Sequence, residues 1–221
     1  MNRNLSKVLL ALCVLGLASL SCSAASSLLN SSGAVLQDDF SDSSSGWGTL
    51  TDANSSVKYA DSGLQMKVFK ENYFIWSTPN KESYDKIHIE VTVKNNDTDP
   101  TTAFGIMCYQ QAVNSSFYYL AITPAGEYAI AKASVGVSDV FLTNNNKWAT
   151  ADTITKNALS YLLGVDCGNG TLTLYVDGKQ VASVSDTTYT TGNVGLFTWS
   201  GEKAPSADVT FDNFAITKLG Q

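Results

Sequence analysis

The feature that most constrains the fold is the regular alternation of apolar and polar residues between positions 157 and 216. Leu172 and Leu174, for example, are separated by a polar residue, and the alternating runs end at glycine, asparagine or aspartate turns. One such turn, Asp177 and Gly178, is a strong hairpin signal because both central positions of that turn favour positive φ. The pattern predicts consecutive antiparallel strands, each with one face in a core and the other facing solvent.

The same alternation covers most of the chain and leaves little room for helices. Ile87, Ile89 and Val91 alternate with polar residues and would share one face of a strand. Strand-like runs recur from 35–40 to 208–217, without a long stretch of helical periodicity. Short strands at such spacing predict an all-β fold, a two-sheet antiparallel sandwich of the jelly-roll type.

The last predicted strand, 208–217, changes phase along its length. Val209 and Phe211 would share one face, whereas Phe214 and Ile216 continue the apolar pattern one position out of step. An extra residue in one strand of an antiparallel pair restores the facing of the side chains. We therefore predict a β-bulge between the two apolar pairs.

Residues 1–25 have the features of a signal peptide. Arg3 and Lys7 give a positive start, and the apolar run 8–20 that follows is too short to span a bilayer as a helix. We expect an exported protein, located at the cell surface or in the periplasm. Residues 26–34 would form a flexible spacer rich in serine.

Two interpretations of the cleavage site are open. The segment that ends at Cys22 resembles a bacterial lipoprotein box. It departs from the usual pattern because Ser19 stands where leucine is expected and Leu20 stands where a small residue is expected. Lipidation of Cys22 would tether the protein durably, since stable anchoring needs more than one acyl chain. Ordinary cleavage after Ala24 or Ala25 would release it instead.

Composition narrows the range of partners. Residues 35–221 have a length suited to a single all-β domain. The formal net charge is −6, only 15% of residues are charged, and no run of lysine or arginine occurs. These values argue against nucleic acid and against anionic membrane surfaces, so a membrane would be contacted only through a lipid anchor. A neutral polar surface suits a glycan or another extracellular ligand.

The cysteines predict one disulfide. Cys13 lies in the apolar part of the signal peptide, and Cys22 is either removed or lipidated. Cys108 and Cys167 remain as an even pair in an oxidising compartment. A bond between them would close a loop of about 60 residues and stabilise the fold by about 4 kcal/mol. The alternative is a pair of buried free thiols.

Several short motifs occur in a characteristic order. They are DDFSD at 38–42, GW at 46–47, FGIMCY at 104–109, FYYLAI at 117–122, GEY at 126–128, LGVDC at 163–167, LTLYVDG at 172–178, GNVGL at 192–196 and FDNF at 211–214. In this order, residues 35–217 resemble the concanavalin A-like lectin/glucanase jelly roll, in its laminin-G-like and 3-keto-disaccharide hydrolase-like branches. The whole chain looks like exported bacterial lipoproteins that carry one such domain. The resemblance implies two stacked antiparallel sheets, one concave, with the first and last strands adjacent. Its members include lectins, binding modules and hydrolases, so fold alone assigns no activity.

No catalytic residue is predicted. A retaining glycanase of this fold would carry two glutamates at alternate positions of one strand, which places both carboxylates on one face. The nearest candidate has Glu90 as a single carboxylate, with Thr92 where the second would stand. His88 is the only histidine, and no Gly-x-Ser-x-Gly elbow accompanies it. Enzymatic activity is left open, but the missing pair favours binding.

Aromatic residues are the better lead to a ligand site. Sugars stack on aromatic rings while amides and carboxylates hold their hydroxyls. The strand phases place Tyr109, Tyr118 and Trp199 opposite to the expected core residues. A row of these rings beside His88 and Glu90 would form a sugar platform. The alternative is ordinary packing of the rings within the sandwich.

The sequence predicts no cofactor, with Ca²⁺ as the one alternative kept open. Asp38, Asp39, Asp42 and Asp212 would come together if the terminal strands pair, and clusters rich in oxygen can hold calcium. No continuous loop motif supports such a site, and two cysteines with one distant histidine have no metal-ligand spacing.

Three hypotheses for the function follow. The first is an exported, membrane-anchored, non-catalytic lectin-like module that binds carbohydrate. The second is a glycoside hydrolase-like enzyme that acts on an oligosaccharide. The third is a structural or adhesive protein of the cell envelope.

Overall fold

The computed structural model describes residues 33–79, 82–112, 115–202 and 204–220, which form two antiparallel β-sheets and one short 3-10 helix, η1 (Ser43–Ser45). The predicted signal peptide and Cys22 lie outside the described residues. None of the described segments forms an apolar helix of the length needed to span a bilayer. The all-β two-sheet prediction is confirmed.

The first sheet has nine strands. In chain order they are β1 (Ala34–Asp38), β2 (Leu50–Thr51), β3 (Ser55–Ala60), β4 (Gly63–Val68), β6 (Ile87–Asn95), β12 (Ser160–Gly168), β13 (Thr171–Val176), β14 (Lys179–Ser185) and β16 (Ala207–Lys218). Their spatial order is β14-β13-β12-β6-β16-β4-β3-β2, and β1 pairs with β16. The first and last strands are therefore adjacent, as expected.

The second sheet has seven strands. In chain order they are β5 (Phe74–Ser77), β7 (Ala103–Gln110), β8 (Phe117–Ile122), β9 (Glu127–Ser134), β10 (Val137–Phe141), β11 (Ala149–Thr150) and β15 (Asn193–Trp199). The spatial order is β10-β9-β8-β7-β15-β5, with β11 beside β9. Strands β5 and β10 are thus the two edges, and the candidate site lies between them.

The core lies between the two sheets. Alternate residues of β6, such as Ile89 and Val91, belong to the same buried cluster as Ile106 of β7 and Leu120 of β8. The seven-stranded sheet differs in burying its outer face as well, since every residue of β8 is buried. A second apolar cluster, which includes Tyr119, covers that outer face.

The predicted disulfide joins the two sheets. Cys108 on β7 is bonded to Cys167 on β12, and their Cα atoms are 6.6 Å apart. Beside the bond, the Tyr109 hydroxyl donates a hydrogen bond to the Cys167 carbonyl over 2.6 Å. This prediction is confirmed, and the free-thiol alternative is wrong.

Two local predictions are also confirmed. The register of β16 against β6 shifts between Asp212 and Ala215, and Asn213 has a φ of 53°. This is the bulge that the phase change indicated. Asp177 and Gly178, with φ values of 51° and 74°, form the turn between β13 and β14.

Candidate functional site

A cleft of about 1140 Å³ opens on the outer face of the seven-stranded sheet. Its lining comes from β5, β7, β8, β9, β10 and β15 and from the loops at their ends. The residues are Asn72, Phe74, Trp76, Ala103, Phe117, Tyr119, Ala133, Ser134, Val135, Gly136, Val137, Ser138, Asp139, Phe141, Asn146, Lys147, Trp148, Phe197, Trp199 and Glu202. We call this space the cleft.

The floor of the cleft is aromatic. The rings of Phe74 and Phe197 stack at a centroid distance of 4.9 Å, and Tyr119 contacts Phe197 edge-on at 5.6 Å. Phe74 also reaches Phe117 at 6.0 Å, although β15 and β7 separate their strands. Because neighbouring strands are about 4.8 Å apart, these rings must lean across two strands to meet. The floor is therefore one continuous aromatic layer.

Exposed or half-buried indoles form the rims. On the β5 side, Trp76 is 40% exposed and Trp199 is half-buried. The Trp199 Nε1 donates to Asn72 Oδ1 over 3.3 Å, which holds the indole plane. On the β10 side, Trp148 packs against Phe141 at 6.1 Å. Aromatic faces thus border the cleft on two sides.

The loop that carries Trp148 has an unusual backbone. Asn144, Asn145 and Asn146 follow one another in the left-handed region, with φ values of 45°, 52° and 65°. Asparagine tolerates this region better than most residues because its short side chain bonds locally. The Asn144 amide donates to the Trp148 carbonyl over 2.7 Å, and Thr143 Oγ1 donates to a carbonyl of the same loop. The loop is therefore tied in one conformation.

That conformation presents polar groups to the cleft. Asn146 Oδ1 accepts a hydrogen bond from the Phe141 backbone N–H over 2.8 Å, so its amide nitrogen is the group left to donate. Lys147, next in the chain, also lines the cleft. In the part of the chain that the structure describes, none of the ion pairs includes Lys147, Asp139 or Glu202.

Asp139 brings a carboxylate to the aromatic floor. The Tyr119 hydroxyl, on a side chain only 6% exposed, donates to Asp139 Oδ2 over 2.9 Å. Loss of hydration raises the pKa of Asp139, an effect that the bond from Tyr119 opposes in part. Burial, with the nearby Asp139 charge, also raises the pKa of Tyr119, which therefore stays protonated. The pair is a carboxylate held by a neutral phenol.

His88 and Glu90 lie elsewhere, on β6 in the nine-stranded sheet. His88 Nδ1 is 2.6 Å from Asp166 Oδ1, and its Nε2 is 3.4 Å from Glu90 Oε1. Tyr175 donates to the second oxygen of Asp166 over 2.8 Å. The bond to Glu90 raises the pKa of His88 despite partial burial, and the same bond lowers the pKa of Glu90. The predicted platform that joins this pair to Trp199 is wrong, because the cleft belongs to the other sheet.

Tyr109 and Tyr118 do not face a ligand surface either. Tyr118 is fully buried in the core between the sheets, where its hydroxyl donates to Asp186. Tyr109 is 3% exposed and has a φ of 55°, which breaks the strand alternation and turns its ring into the core beside Cys108. The predicted outward orientation of both tyrosines is wrong, and only Trp199 of the predicted aromatic row lines the cleft.

The sequence interpretation missed most of the residues in the cleft. It placed Tyr118 opposite to the expected core residues, whereas Tyr118 points inward and its neighbours Phe117 and Tyr119 face the cleft. The run 117–122 is apolar at every position, so periodicity gives no sign of which half faces inward. Asp139, the one acid in β10, was the available signal for a polar group over that face.

The acidic cluster near the N-terminus is occupied by local contacts. Asp38 Oδ1 accepts from the Phe40 N–H over 2.8 Å, and its Oδ2 accepts from the Trp47 indole over 2.7 Å. Asp39 and Asp42 accept from serines two positions along the chain. Over the described ranges, no group of three or more His, Cys, Asp or Glu side chains is placed to hold a metal ion.

Comparison with known proteins identifies the fold. No protein-family model matches the chain, and neither does any curated protein. Among solved structures, it is similar to the carbohydrate binding module CBM66 from Bacillus subtilis, with a TM-score of 0.61 and 17% identity over 78% of this chain and 96% of that one. A Bacillus subtilis protein of unknown function with a galectin-like fold gives 0.62 and 11%, over 84% and 96%.

A Bacillus licheniformis β-glucanase is also similar, with a TM-score of 0.58 and 13% identity over 85% of this chain and 99% of that one. These likenesses establish a concanavalin A-like jelly roll, as the sequence motifs indicated. At such low identity they carry the fold and no activity.

Proposed function

We propose that this protein is a non-catalytic, lectin-like module that binds a carbohydrate in the cleft. The observation that carries the proposal is the arrangement of Trp76, Trp199 and Trp148 on two rims, with Asp139 and Asn146 on the same side of the cleft as Trp148. Sugar rings present C–H faces that stack on aromatic rings and hydroxyls that bond to carboxylates and amides. The cleft supplies both kinds of group.

The structural neighbours support the same class of ligand. They include a carbohydrate binding module and a β-glucanase, and another is described as an endo-1,3-β-glucanase from Thermotoga petrophila. Because several proteins with this fold act on or bind glycans, a glycan ligand is the first expectation here, and the residues of the cleft are the ones that would contact it.

The placement of acids favours binding without hydrolysis. Glycosidases need two carboxyl groups about 5–10 Å apart. Of the described residues that line the cleft, only Asp139 and Glu202 are acidic. Asp139 lies on β10 at one edge of the sheet, and Glu202 follows β15, four positions away in the spatial order. The two acids therefore come from different parts of the sheet and not from alternate positions of one strand, the arrangement expected of a retaining glycanase of this fold.

We also propose that the protein is exported and held at the cell surface or in the periplasm by a lipid on Cys22. The apolar run 8–20 and the lipoprotein-like segment before Cys22 support this. The disulfide between Cys108 and Cys167 suits an oxidising compartment. Metabolic labelling with a palmitate analogue tests the anchor: label should appear in the wild type and disappear in Cys22→Ala.

A glycan array with the purified domain tests the binding. Trp199→Ala and Trp148→Ala should each weaken the array signal by about tenfold or more, because indoles at a binding surface carry much of the affinity. Tyr175→Ala, an aromatic truncation on the other sheet, is the matched control and should bind as the wild type does.

Two results would redirect the proposal. Release of new reducing ends from an array oligosaccharide would identify a glycoside hydrolase-like enzyme instead. Absence of binding across neutral and acidic glycans, with the domain folded, would reject carbohydrate as the ligand and leave a structural or adhesive envelope protein.

A further inference from the structure

We propose that Asp139 is the specificity-determining residue of the cleft. Its carboxylate accepts a hydrogen bond from a hydroxyl of an uncharged sugar ring and disfavours acidic sugars. This inference rests on the proposed function and names the ligand class that the cleft takes. Tyr119 is the positioning residue that holds the carboxylate.

The Asp139 carboxylate is held at the floor of the cleft. Asp139 lies on β10, an edge strand, and its residue as a whole is exposed. Its Oδ2 nevertheless reaches the floor, where it accepts the Tyr119 hydroxyl over 2.9 Å. The Tyr119 ring is fixed in turn by Phe117 at 6.5 Å and by Phe197 at 5.6 Å. A buried aromatic side chain thus sets the place of the Asp139 carboxylate.

The Asp139 carboxylate can accept more hydrogen bonds than it receives from Tyr119. An ionised carboxyl group can accept about four hydrogen bonds. Tyr119 is the hydrogen-bond donor to Asp139 among the described side chains, and it contacts Oδ2, so Oδ1 can accept from a ligand. No described lysine, arginine or histidine lies within ion-pair distance of Asp139.

The surroundings of Asp139 make its free hydrogen-bond acceptor selective among ligands. Asp139 is partly desolvated beside an aromatic floor, and its pKa is raised for that reason. A ligand hydroxyl that bonds to Oδ1 replaces the lost hydration, whereas a ligand without a donor leaves the acceptor unmet. A site built around such a bond discriminates strongly against ligands that lack it. The described lining residues include two acids, Asp139 and Glu202, and one cation, Lys147, so a uronate or a sulfate would meet a net like charge and is disfavoured.

The stacking rings place the sugar within reach. Trp148 and Phe141 stand on the β10 side, where Asp139 also lies, and Asn146 offers a donor from the adjoining loop. A ring stacked on Trp148 would turn its hydroxyl edge toward the carboxylate and the amide. One residue accepts and the other donates, which matches the dual character of neighbouring hydroxyls on a neutral sugar.

The experiment uses one array that carries neutral and uronate-containing oligosaccharides. Asp139→Asn should lose about tenfold or more on the neutral glycans that the wild type binds, because a charged acceptor is replaced by a neutral amide. Asp61→Asn, the same substitution in the exposed turn after β3, is the matched control and should bind as the wild type does. Thermal melting checks that each variant is folded.

The pH profile gives the second readout, which a purely structural role would not move. Wild-type binding should fall as acid protonates Asp139. In Tyr119→Phe the ring packing remains but the bond that lowers the pKa of Asp139 is lost, so the acid limb should shift to higher pH. In Asp139→Asn that limb should disappear.

The failures are distinguishable. Wild-type binding to no glycan overturns the proposed function and this inference with it. Binding that depends on Trp148 and Trp199 but survives Asp139→Asn overturns the role of Asp139 alone. Preferred binding of uronate-containing glycans overturns the neutral ligand class. An unchanged acid limb in Tyr119→Phe overturns the positioning role.

Discussion

The outer faces of the two sheets differ in a way that separates structure from recognition. On the nine-stranded sheet, β6 alternates buried and half-buried residues, and its outward polar groups bond to one another, as His88 does with Asp166. On the seven-stranded sheet, β8 is buried throughout, and its outward rings Phe117 and Tyr119 form the floor of the cleft. The first face satisfies its own polar groups, whereas the second leaves acceptors and ring faces for a ligand.

The largest effect that would sharpen this contrast concerns stability. Phe197→Ala removes a ring that is 2% exposed and stacked on Phe74, so the free energy of unfolding should fall by about 3 kcal/mol or more. Tyr175→Ala, on the outer face of the other sheet, removes one hydrogen bond to Asp166 and should cost about 1 kcal/mol. Denaturant unfolding of both variants, with the disulfide intact, measures the difference. Equal costs would mean that the floor of the cleft is not packed as a second core.

The contrast also explains how far the sequence could predict the molecule. The alternation around Ile89 and the phase change before Phe214 gave the strands, the inward faces and the bulge, because one face of the nine-stranded sheet is polar. The even number of cysteines left after the signal peptide gave the bond between Cys108 and Cys167, and the structure shows that this bond joins the two sheets. These signals are local, and each has one physical cause.

The candidate site depended on a choice that local signals do not make. In 103–110 and 117–122 nearly every residue is apolar, so either phase would bury an apolar face. The positive φ of Tyr109 adds a second change of phase that no turn residue announces. The position of β10 and of the loop before β11 decides which face of the sheet becomes the cleft. That position depends on tertiary packing, which the local sequence pattern does not reveal.

A smaller effect tests the inward position of Tyr118. Its hydroxyl donates to Asp186 and accepts the Tyr189 backbone N–H over 3.1 Å. Tyr118→Phe leaves both partners without that bond and should lower the free energy of unfolding by about 1–2 kcal/mol. Glycan binding should stay at the wild-type level because the ring faces away from the cleft. If Tyr118→Phe kept its stability but lost glycan binding, the result would contradict the orientation of β8 that places Tyr118 in the core.

The smallest expected effect lies on the nine-stranded sheet and depends on pH. The pKa of His88 is raised, chiefly by its bond to Glu90, so its protonated form stabilises the fold below the unfolded pKa of about 6.5 and that contribution is lost as pH rises through the folded value. The pKa of Glu90 is lowered by the same bond, so its contribution is present above an unfolded value of about 4.3 and is lost at more acid pH.

His88→Asn should therefore lower the free energy of unfolding most between about pH 4.5 and 6.5. The loss should be less than about 1 kcal/mol, since the pair is half-exposed, and it should shrink progressively as the pH rises above that window. Denaturant midpoints across this range measure the effect, with glycan binding followed in parallel. Because the cleft belongs to the other sheet, glycan binding should be the same in His88→Asn and wild type. A loss of affinity in the variant would instead show that His88 contributes to the ligand site.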